Sequence, residues 1–144
     1  MIANKTRVFA ILIIIFGSFL SCQRRDEHPV PYVPVNITLH VSDPEFFNLN
    51  AVGGSTQLTG GSRGILVYRK TEDEFMAYDR HCTYDSNNPL SVVMLDPGNS
   101  FSAIDTSCTS QFFLIDGSVQ KGPAQFPLRQ YQTTFDGVKL NIFN

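Results

Sequence analysis

Residues 105–131 read DTSCTSQFFLIDGSVQKGPAQFPLRQY, and their short apolar runs and turns are the clearest indication of fold in this chain. The runs lie at 111–115 and around Val119, with the turn dipeptide Asp116-Gly117 between them. A rigid Gly-Pro-Ala loop follows at 122–124. Apolar runs this short, separated by turn residues at close intervals, are typical of antiparallel β-strands and are too brief for helices.

The segments on either side of this region have the same character. Residues 35–41 alternate apolar and polar side chains without a break, which is typical of a half-buried strand. The dipeptide Asp136-Gly137 joins two alternating runs and is a strong hairpin signal. Residues 53–64 are rich in Gly, Ser and Thr and are predicted to be a loop. The predicted strands outside the opening segment are 35–41, 64–70, 75–79, 92–95, 101–104, 130–135 and 138–143.

Many short strands with regular turns predict an all-β fold, an antiparallel sandwich or small barrel. Two cysteine-centred loops lie between the strands, YDRHCTY at 78–84 and DTSCTSQF at 105–112. They are followed by LIDGSVQKGPA at 114–124 and PLRQY at 127–131.

With these motifs, residues 35–144 resemble the Rieske iron–sulfur domain. In that family the first loop reads Cys-x-His and the second reads Cys-x-x-His-Gly-Ser-x-Phe. An Asp-Gly turn, a Gly-Pro-Ala loop and Pro-Leu-x-x-Tyr come next. Two cysteines bind one iron of the cluster and two histidines bind the other. The resemblance implies a Rieske-like antiparallel sandwich or small barrel in which two loops meet at the cluster site.

Carried over position by position, only one of the four cluster ligands keeps its type, and that ligand is Cys82. Tyr84 stands at the first histidine, Asp105 at the second cysteine and Cys108 at the second histidine. A phenol and a carboxylate do not simply replace imidazole and thiolate in such a cluster. We therefore expect a degenerate Rieske-like domain with no metal and no cofactor. A retained [2Fe-2S] cluster is the alternative.

The first residues of the chain predict export. Lys5 and Arg7 precede an unbroken apolar run, Val8–Phe16, which is shorter than the roughly 20 residues that span a bilayer. Phe19-Leu20-Ser21-Cys22 resembles a lipobox, which implies cleavage before Cys22 and acylation of that cysteine. Residues 1–21 are thus a predicted lipoprotein signal peptide. An uncleaved N-terminal anchor helix is the alternative.

The segment that follows predicts a spacer. Residues 22–34 contain three prolines and several charged side chains, so we expect a lipidated N-terminus and a flexible tether. Residues 35–144 then form one domain. A lipidated cysteine predicts attachment to the bacterial cell envelope, at the outer membrane or cell surface rather than the inner membrane.

Cysteine usage follows from this assignment. The chain has three cysteines, and giving Cys22 to the lipid leaves Cys82 and Cys108 as a pair. Two cysteines in an oxidising compartment predict a disulfide. Three alternatives stay open. They are two inert buried thiols, a thiol–disulfide redox pair, and a mononuclear metal site formed by Cys82, Cys108, Asp105 and His81.

Charge narrows the possible partners. Without residues 1–21, 9 Lys and Arg stand against 13 Asp and Glu, a net charge near −4. This charge disfavours nucleic acid, which selects a basic surface. We expect a non-enzymatic, membrane-anchored lipoprotein with a cluster-free Rieske-like structural or binding module and an unknown protein or small-molecule partner. Electron transfer through a [2Fe-2S] cluster or a variant metal, and thiol–disulfide chemistry, are the alternatives.

Overall fold

The computed structural model describes residues 28–144, so the predicted signal peptide, Cys22 and the first part of the tether lie outside the described residues. The described chain forms ten strands and a short 3₁₀ segment, Pro44–Asn50. The strands are β1 (Asn36–His40), β2 (Ser55–Leu58), β3 (Ile65–Arg69), β4 (Phe75–Asp79), β5 (Val93–Asp96), β6 (Asn99–Asp105), β7 (Gln111–Phe113), β8 (Val119–Lys121), β9 (Gln130–Phe135) and β10 (Lys139–Phe143).

The strands form two antiparallel sheets. One sheet has six strands in the order β1-β10-β9-β4-β3-β2, and the other has four in the order β5-β6-β7-β8. All the pairings between these strands are antiparallel. The predicted fold class is confirmed. The chain is all-β and antiparallel, and its two cysteine loops meet where the sulfurs of Cys82 and Cys108 lie 3.6 Å apart.

Strand β3 explains how two cores fit in so small a domain. All five of its residues are buried. Ile65 and Val67 pack into the core of the six-stranded sheet, whereas Leu66 and Tyr68 pack into a second core with the four-stranded sheet. A continuous apolar run is what a strand covered on both faces requires. Cys82 belongs to the second core, so one functional loop is anchored in packed side chains.

The prediction of a loop at 53–64 was wrong in part. Its first half contains β2, Ser55–Leu58, which pairs with β3 at the edge of the larger sheet. This strand has little apolar alternation because none of its side chains is fully buried. Pairing with the buried β3 therefore places a polar segment in a strand that its own sequence does not indicate.

The described residues before β1 lie against the domain. Val30 is fully buried, and its carbonyl accepts a 2.9 Å hydrogen bond from Nε of Arg129. The backbone N–H of Val35 donates to Oδ1 of Asn144 at 2.9 Å. Among residues 28–144, no helix has the length and apolar character needed to cross a membrane.

A buried carboxylate ties three segments together. Asp79, at the end of β4, accepts backbone hydrogen bonds from Ser62 at 2.6 Å, Arg63 at 3.2 Å and His81 at 2.8 Å. The hydroxyl of Tyr131 on β9 donates to the same carboxylate at 2.7 Å. Burial and the nearby Asp79 raise the pKa of Tyr131, so this hydroxyl keeps its proton. The loop before β3 is thereby held against the loop after β4.

Replacing Gly61 with alanine tests this arrangement. Gly61 has φ +60°, and a Cβ there would overlap the Tyr131 hydroxyl and the Asp79 carboxylate. Gly137 is a matched control because its φ is +93° but no atom lies within 4 Å of an added Cβ. We expect Gly61→Ala to lower the free energy of unfolding by about 3 kcal/mol, against about 1 kcal/mol for Gly137→Ala. Denaturant titration measures both, and equal losses would contradict the close packing around Asp79.

Candidate metal centre

Two tight loops place the cysteines. Cys82 follows β4 in the loop that leads to β5, and Cys108 lies in the turn between β6 and β7. That turn starts at Asp105, whose carbonyl accepts the N–H of Thr109 at 2.7 Å. Thr109 adopts φ +63°, the left-handed conformation that closes the turn. The side chains of Asp105 and Cys108 therefore come from one short loop and face Cys82 from the other.

The two sulfurs and the carboxylate converge. The Sγ atoms of Cys82 and Cys108 are 3.6 Å apart, and Sγ of Cys108 lies 3.3 Å from Oδ2 of Asp105. One ligand atom from each of the three residues lies within 4.8 Å of the others. Cys82 and Asp105 are fully buried, and Cys108 is half-buried. Within residues 28–144 this is the one such group of metal-ligating side chains.

Three hydrogen bonds from Ser91 and Ser107, and a fourth from Sγ of Cys108 to Oδ2 at 3.3 Å, stabilise the charged form of Asp105. Ser91 Oγ donates to its Oδ2 at 2.5 Å, while the backbone N–H and hydroxyl of Ser107 donate to Oδ1 at 2.8 and 2.7 Å. Burial alone would raise the pKa of Asp105, but the hydrogen bonds from Ser91 and Ser107 outweigh burial and lower it to about 2. The side chain is therefore an anionic oxygen donor at neutral pH.

Cys82 has the opposite electrostatic character. Burial, the main cause, raises the pKa of its thiol to about 12, so the metal-free protein holds it protonated. A bound cation inverts this preference because its charge stabilises the thiolate. Two thiolates on one tetrahedral ion, with bonds of about 2.3 Å, lie roughly 3.7–3.8 Å apart. The 3.6 Å between the sulfurs, a distance at which one thiol can also donate to the other, is close to that spacing.

These positions correct two expectations. The expectation of no metal and no cofactor is wrong, because Cys82, Asp105 and Cys108 form a group that could hold a metal ion. The predicted disulfide is not formed, since both cysteines are free thiols with their sulfurs 3.6 Å apart. A disulfide requires about 2.05 Å between sulfurs, so the loops hold the two thiols near each other but unbonded.

Two other predicted positions lie outside the group. Tyr84, at a former histidine position, is 56% exposed and does not join the three ligands. The ring of His81 is engaged elsewhere, with Nδ1 at 2.8 Å from Oγ of Ser62 and Nε2 at 2.7 Å from the carbonyl of Ser86. Burial, the largest cause, lowers the pKa of His81. The mononuclear site thus contains three of the four residues proposed for it.

A [2Fe-2S] cluster does not fit this donor set. Such a cluster takes four protein ligands, two on each iron. The described residues bring together three such ligands, Cys82, Asp105 and Cys108. The exposed Tyr84 and the hydrogen-bonded His81 leave the second iron of a cluster without a ligand pair.

The sequence did not point to Ser91, which lies 14 residues before Asp105. The Ser91 hydroxyl donates the shortest of the side-chain hydrogen bonds that the Asp105 carboxylate accepts. The backbone carbonyl of Ser91 also accepts the N–H of Cys82 at 3.3 Å. Nothing in the sequence marks this serine, since its role depends on the path of the loop. Oγ of Ser110, a residue of the DTSCTSQF motif, accepts a hydrogen bond from Sγ of Cys108 at 3.1 Å and from the backbone N–H of Ala124 at 3.0 Å.

No family model and no curated protein matches this chain. Among solved structures, the ferredoxin of carbazole 1,9a-dioxygenase from Nocardioides aromaticivorans IC177 is similar over 78% of this chain and 98% of its own, at 17% identity and a TM-score of 0.49. A complex of reduced oxygenase and oxidized ferredoxin in carbazole 1,9a-dioxygenase is similar over 63% of this chain and 81% of its own, at 18% identity and a TM-score of 0.47. A Sphingomonas yanoikuyae B1 ferredoxin is similar over 62% of this chain and 84% of its own, at 21% identity and a TM-score of 0.43. These likenesses concern the fold alone.

Asp105→Asn tests the electrostatics of the centre. The pKa of Asp105 is about 2 in the folded chain and about 3.9 in an unfolded one, so its carboxylate stabilises the fold above pH 4. That stabilisation, about 2 kcal/mol, is lost as the pH falls through 2. We expect the unfolding free energy of Asp105→Asn to change by about 2 kcal/mol less than the parent's between pH 5 and pH 2. Denaturant titrations across this range measure it, and parallel profiles would contradict it.

Proposed function

We propose that this chain is an envelope-anchored electron-transfer protein whose redox centre is a single metal ion held by Cys82, Asp105 and Cys108. The observation that carries the proposal is the convergence of two sulfurs and an ionised carboxylate within 4.8 Å. Thiolate ligands favour soft or borderline ions such as copper(I), zinc and iron. Of these, copper and iron change oxidation state.

The surrounding residues suit this role. Cys82 is fully buried in the second core, which keeps water away from one side of the site. Cys108 is half-buried, so the centre lies next to the surface that a redox partner can approach. A redox-active ion bound here supplies a one-electron acceptor and donor. An electron carrier needs a donor and an acceptor, and we propose that both are proteins.

Thiol–disulfide exchange is the second candidate, and the 3.6 Å between the sulfurs favours it. Cys108, the more exposed thiol, would attack an incoming disulfide and release one thiol. Cys82 would then displace the second thiol and close an internal disulfide, so that the pair is oxidised and the incoming disulfide reduced. The second step requires the Cys82 thiolate, and the pKa of this thiol is raised to about 12. Metal binding also requires the Cys82 thiolate, but there the charge of the cation would stabilise it.

We also propose that Cys22 carries a lipid in the mature protein and attaches the domain to the cell envelope. The support for this lies in the sequence, where a basic start and a short apolar run precede Phe19-Leu20-Ser21-Cys22. Several acyl chains on one cysteine give stable membrane attachment at about 0.8 kcal/mol per buried methylene. The redox centre would then work close to a membrane surface.

Cobalt titration tests the metal centre. In the full chain with Cys22→Ser, we expect one Co²⁺ per chain and a near-ultraviolet thiolate-to-cobalt absorption band. Binding should strengthen as the pH rises, because Cys82 must lose a proton that its raised pKa holds tightly. Adding Cys82→Ser or Cys108→Ser should abolish the band, with Cys22→Ser alone as the matched control. When loaded with copper or iron, the same protein should show a reversible one-electron wave in voltammetry. Absence of cobalt binding in the Cys22→Ser control would refute the proposal.

Cys22→Ala tests the anchor. We expect the parent, expressed with its whole N-terminus in a bacterium, to incorporate labelled fatty acid and to sediment with membranes. Cys22→Ala should lose both properties because no other residue of the lipobox can be acylated. Cys108→Ala, which also removes one cysteine, is the matched control and should keep the label. Fatty acid in the Cys22→Ala protein would contradict lipidation at this cysteine.

A further inference from the structure

We propose that Arg63 is a positioning residue for the metal centre, holding the loop after Cys82 so that Ser91 meets Asp105. This inference rests on the proposed function, because it assigns a role towards that same centre. Arg63 lies in the turn between β2 and β3, in a segment that belongs to neither cysteine loop.

The guanidinium of Arg63 gathers one loop through three backbone carbonyls. Its Nη1 donates to the carbonyls of Asn88 at 2.5 Å and Ser91 at 2.8 Å, and its Nη2 donates to the carbonyl of Ser86 at 2.9 Å. Residues 83–91 contain no strand, and the bridge between His81 and Val92 closes them at the base. Arg63, together with His81, whose Nε2 lies 2.7 Å from the same Ser86 carbonyl, therefore takes the place of the strand pairing that the loop lacks.

Ser91 connects this clamp to the centre. Its carbonyl, which Arg63 holds, also accepts the N–H of Cys82, and its hydroxyl donates to Oδ2 of Asp105. Ser91 is itself fully buried. The serine thus contacts two of the three ligand residues, so a shift of the loop would move both the Cys82 backbone and the Asp105 carboxylate.

The backbone of Arg63 and of the residue before it is fixed by hydrogen bonds to a buried carboxylate. The N–H of Arg63 donates to Oδ1 of Asp79, and the preceding Ser62 donates to Oδ2. Gly61 allows this approach, because a Cβ there would overlap that carboxylate. The guanidinium therefore extends from a fixed turn, and its planar fork of donors reaches several carbonyls at once. A lysine ammonium in its place has its three donors on one nitrogen, so it cannot occupy both of the positions from which Nη1 and Nη2 reach the three carbonyls.

Arg63→Lys, compared with Arg69→Lys, tests the role. Arg69 also donates to backbone carbonyls, at Leu49, Asn50 and Glu72, but these lie away from the centre. Both variants lose a structural arginine, so a purely structural role predicts similar effects. In the full chain with Cys22→Ser, we expect Arg63→Lys to weaken Co²⁺ binding 10- to 100-fold and to shift the cobalt absorption bands. Arg69→Lys should bind within about twofold of the parent and keep its spectrum.

A second measurement needs no metal. In the metal-free protein, well below the unfolding temperature of both variants, a thiol reagent should label Cys82 at least about tenfold faster in Arg63→Lys than in Arg69→Lys, because Cys82 is fully buried in the parent. Peptide mass spectrometry assigns the label to Cys82. Equal affinities together with equal labelling rates in the two variants would overturn the proposal. A parent that binds no cobalt would refute the proposed function alone, and the labelling rates would then decide the role of Arg63.

Discussion

The buried carboxylate of Asp79 is the constraint on which the rest of this structure depends. A carboxylate out of contact with water must be surrounded by donors, and three backbone N–H groups and the Tyr131 hydroxyl supply them. The donors come from the β2–β3 turn, the loop after β4 and strand β9. Satisfying one buried group therefore fixes the relative positions of segments that are distant in sequence.

A second buried carboxylate, Asp105, repeats this principle at the centre itself. Its donors are Ser91, Ser107 and the thiol of Cys108, and Ser91 reaches it from the loop that Arg63 holds. The turn pinned by Asp79 carries Arg63, so the two carboxylates are connected through one arginine and one serine. A carboxylate kept anionic by neutral groups is poised to accept a cation, because those donors stabilise its charge without cancelling it.

The strands with regular alternation could be predicted from the sequence, and β9 and β10 follow from the runs around Asp136-Gly137. Strand β2 could not, because it depends on pairing with the edge of β3, a segment that is buried on both faces. The family resemblance predicted that Cys82, Asp105 and Cys108 lie close together, as they do. It also led to the wrong expectation of no cofactor, since each residue was compared with the ligand it replaces. Whether three altered residues can still bind a metal depends on the distances between their ligand atoms, and the sequence alone does not give those distances.

The convergence of two sulfurs with an ionised carboxylate favours a metal ion over the other uses of these residues, although the raised pKa of Cys82 means that a cation must displace its proton. A disulfide would need neither an ionised carboxylate nor the hydrogen bonds that keep Asp105 charged. An inert apolar core would exclude that carboxylate altogether, because an isolated buried charge is costly. A cation 2–2.5 Å from each donor, as zinc binds thiolate and carboxylate, uses both features. Asp105 would supply the negative charge that balances such an ion, and Cys82 would bind it as a thiolate after losing its proton.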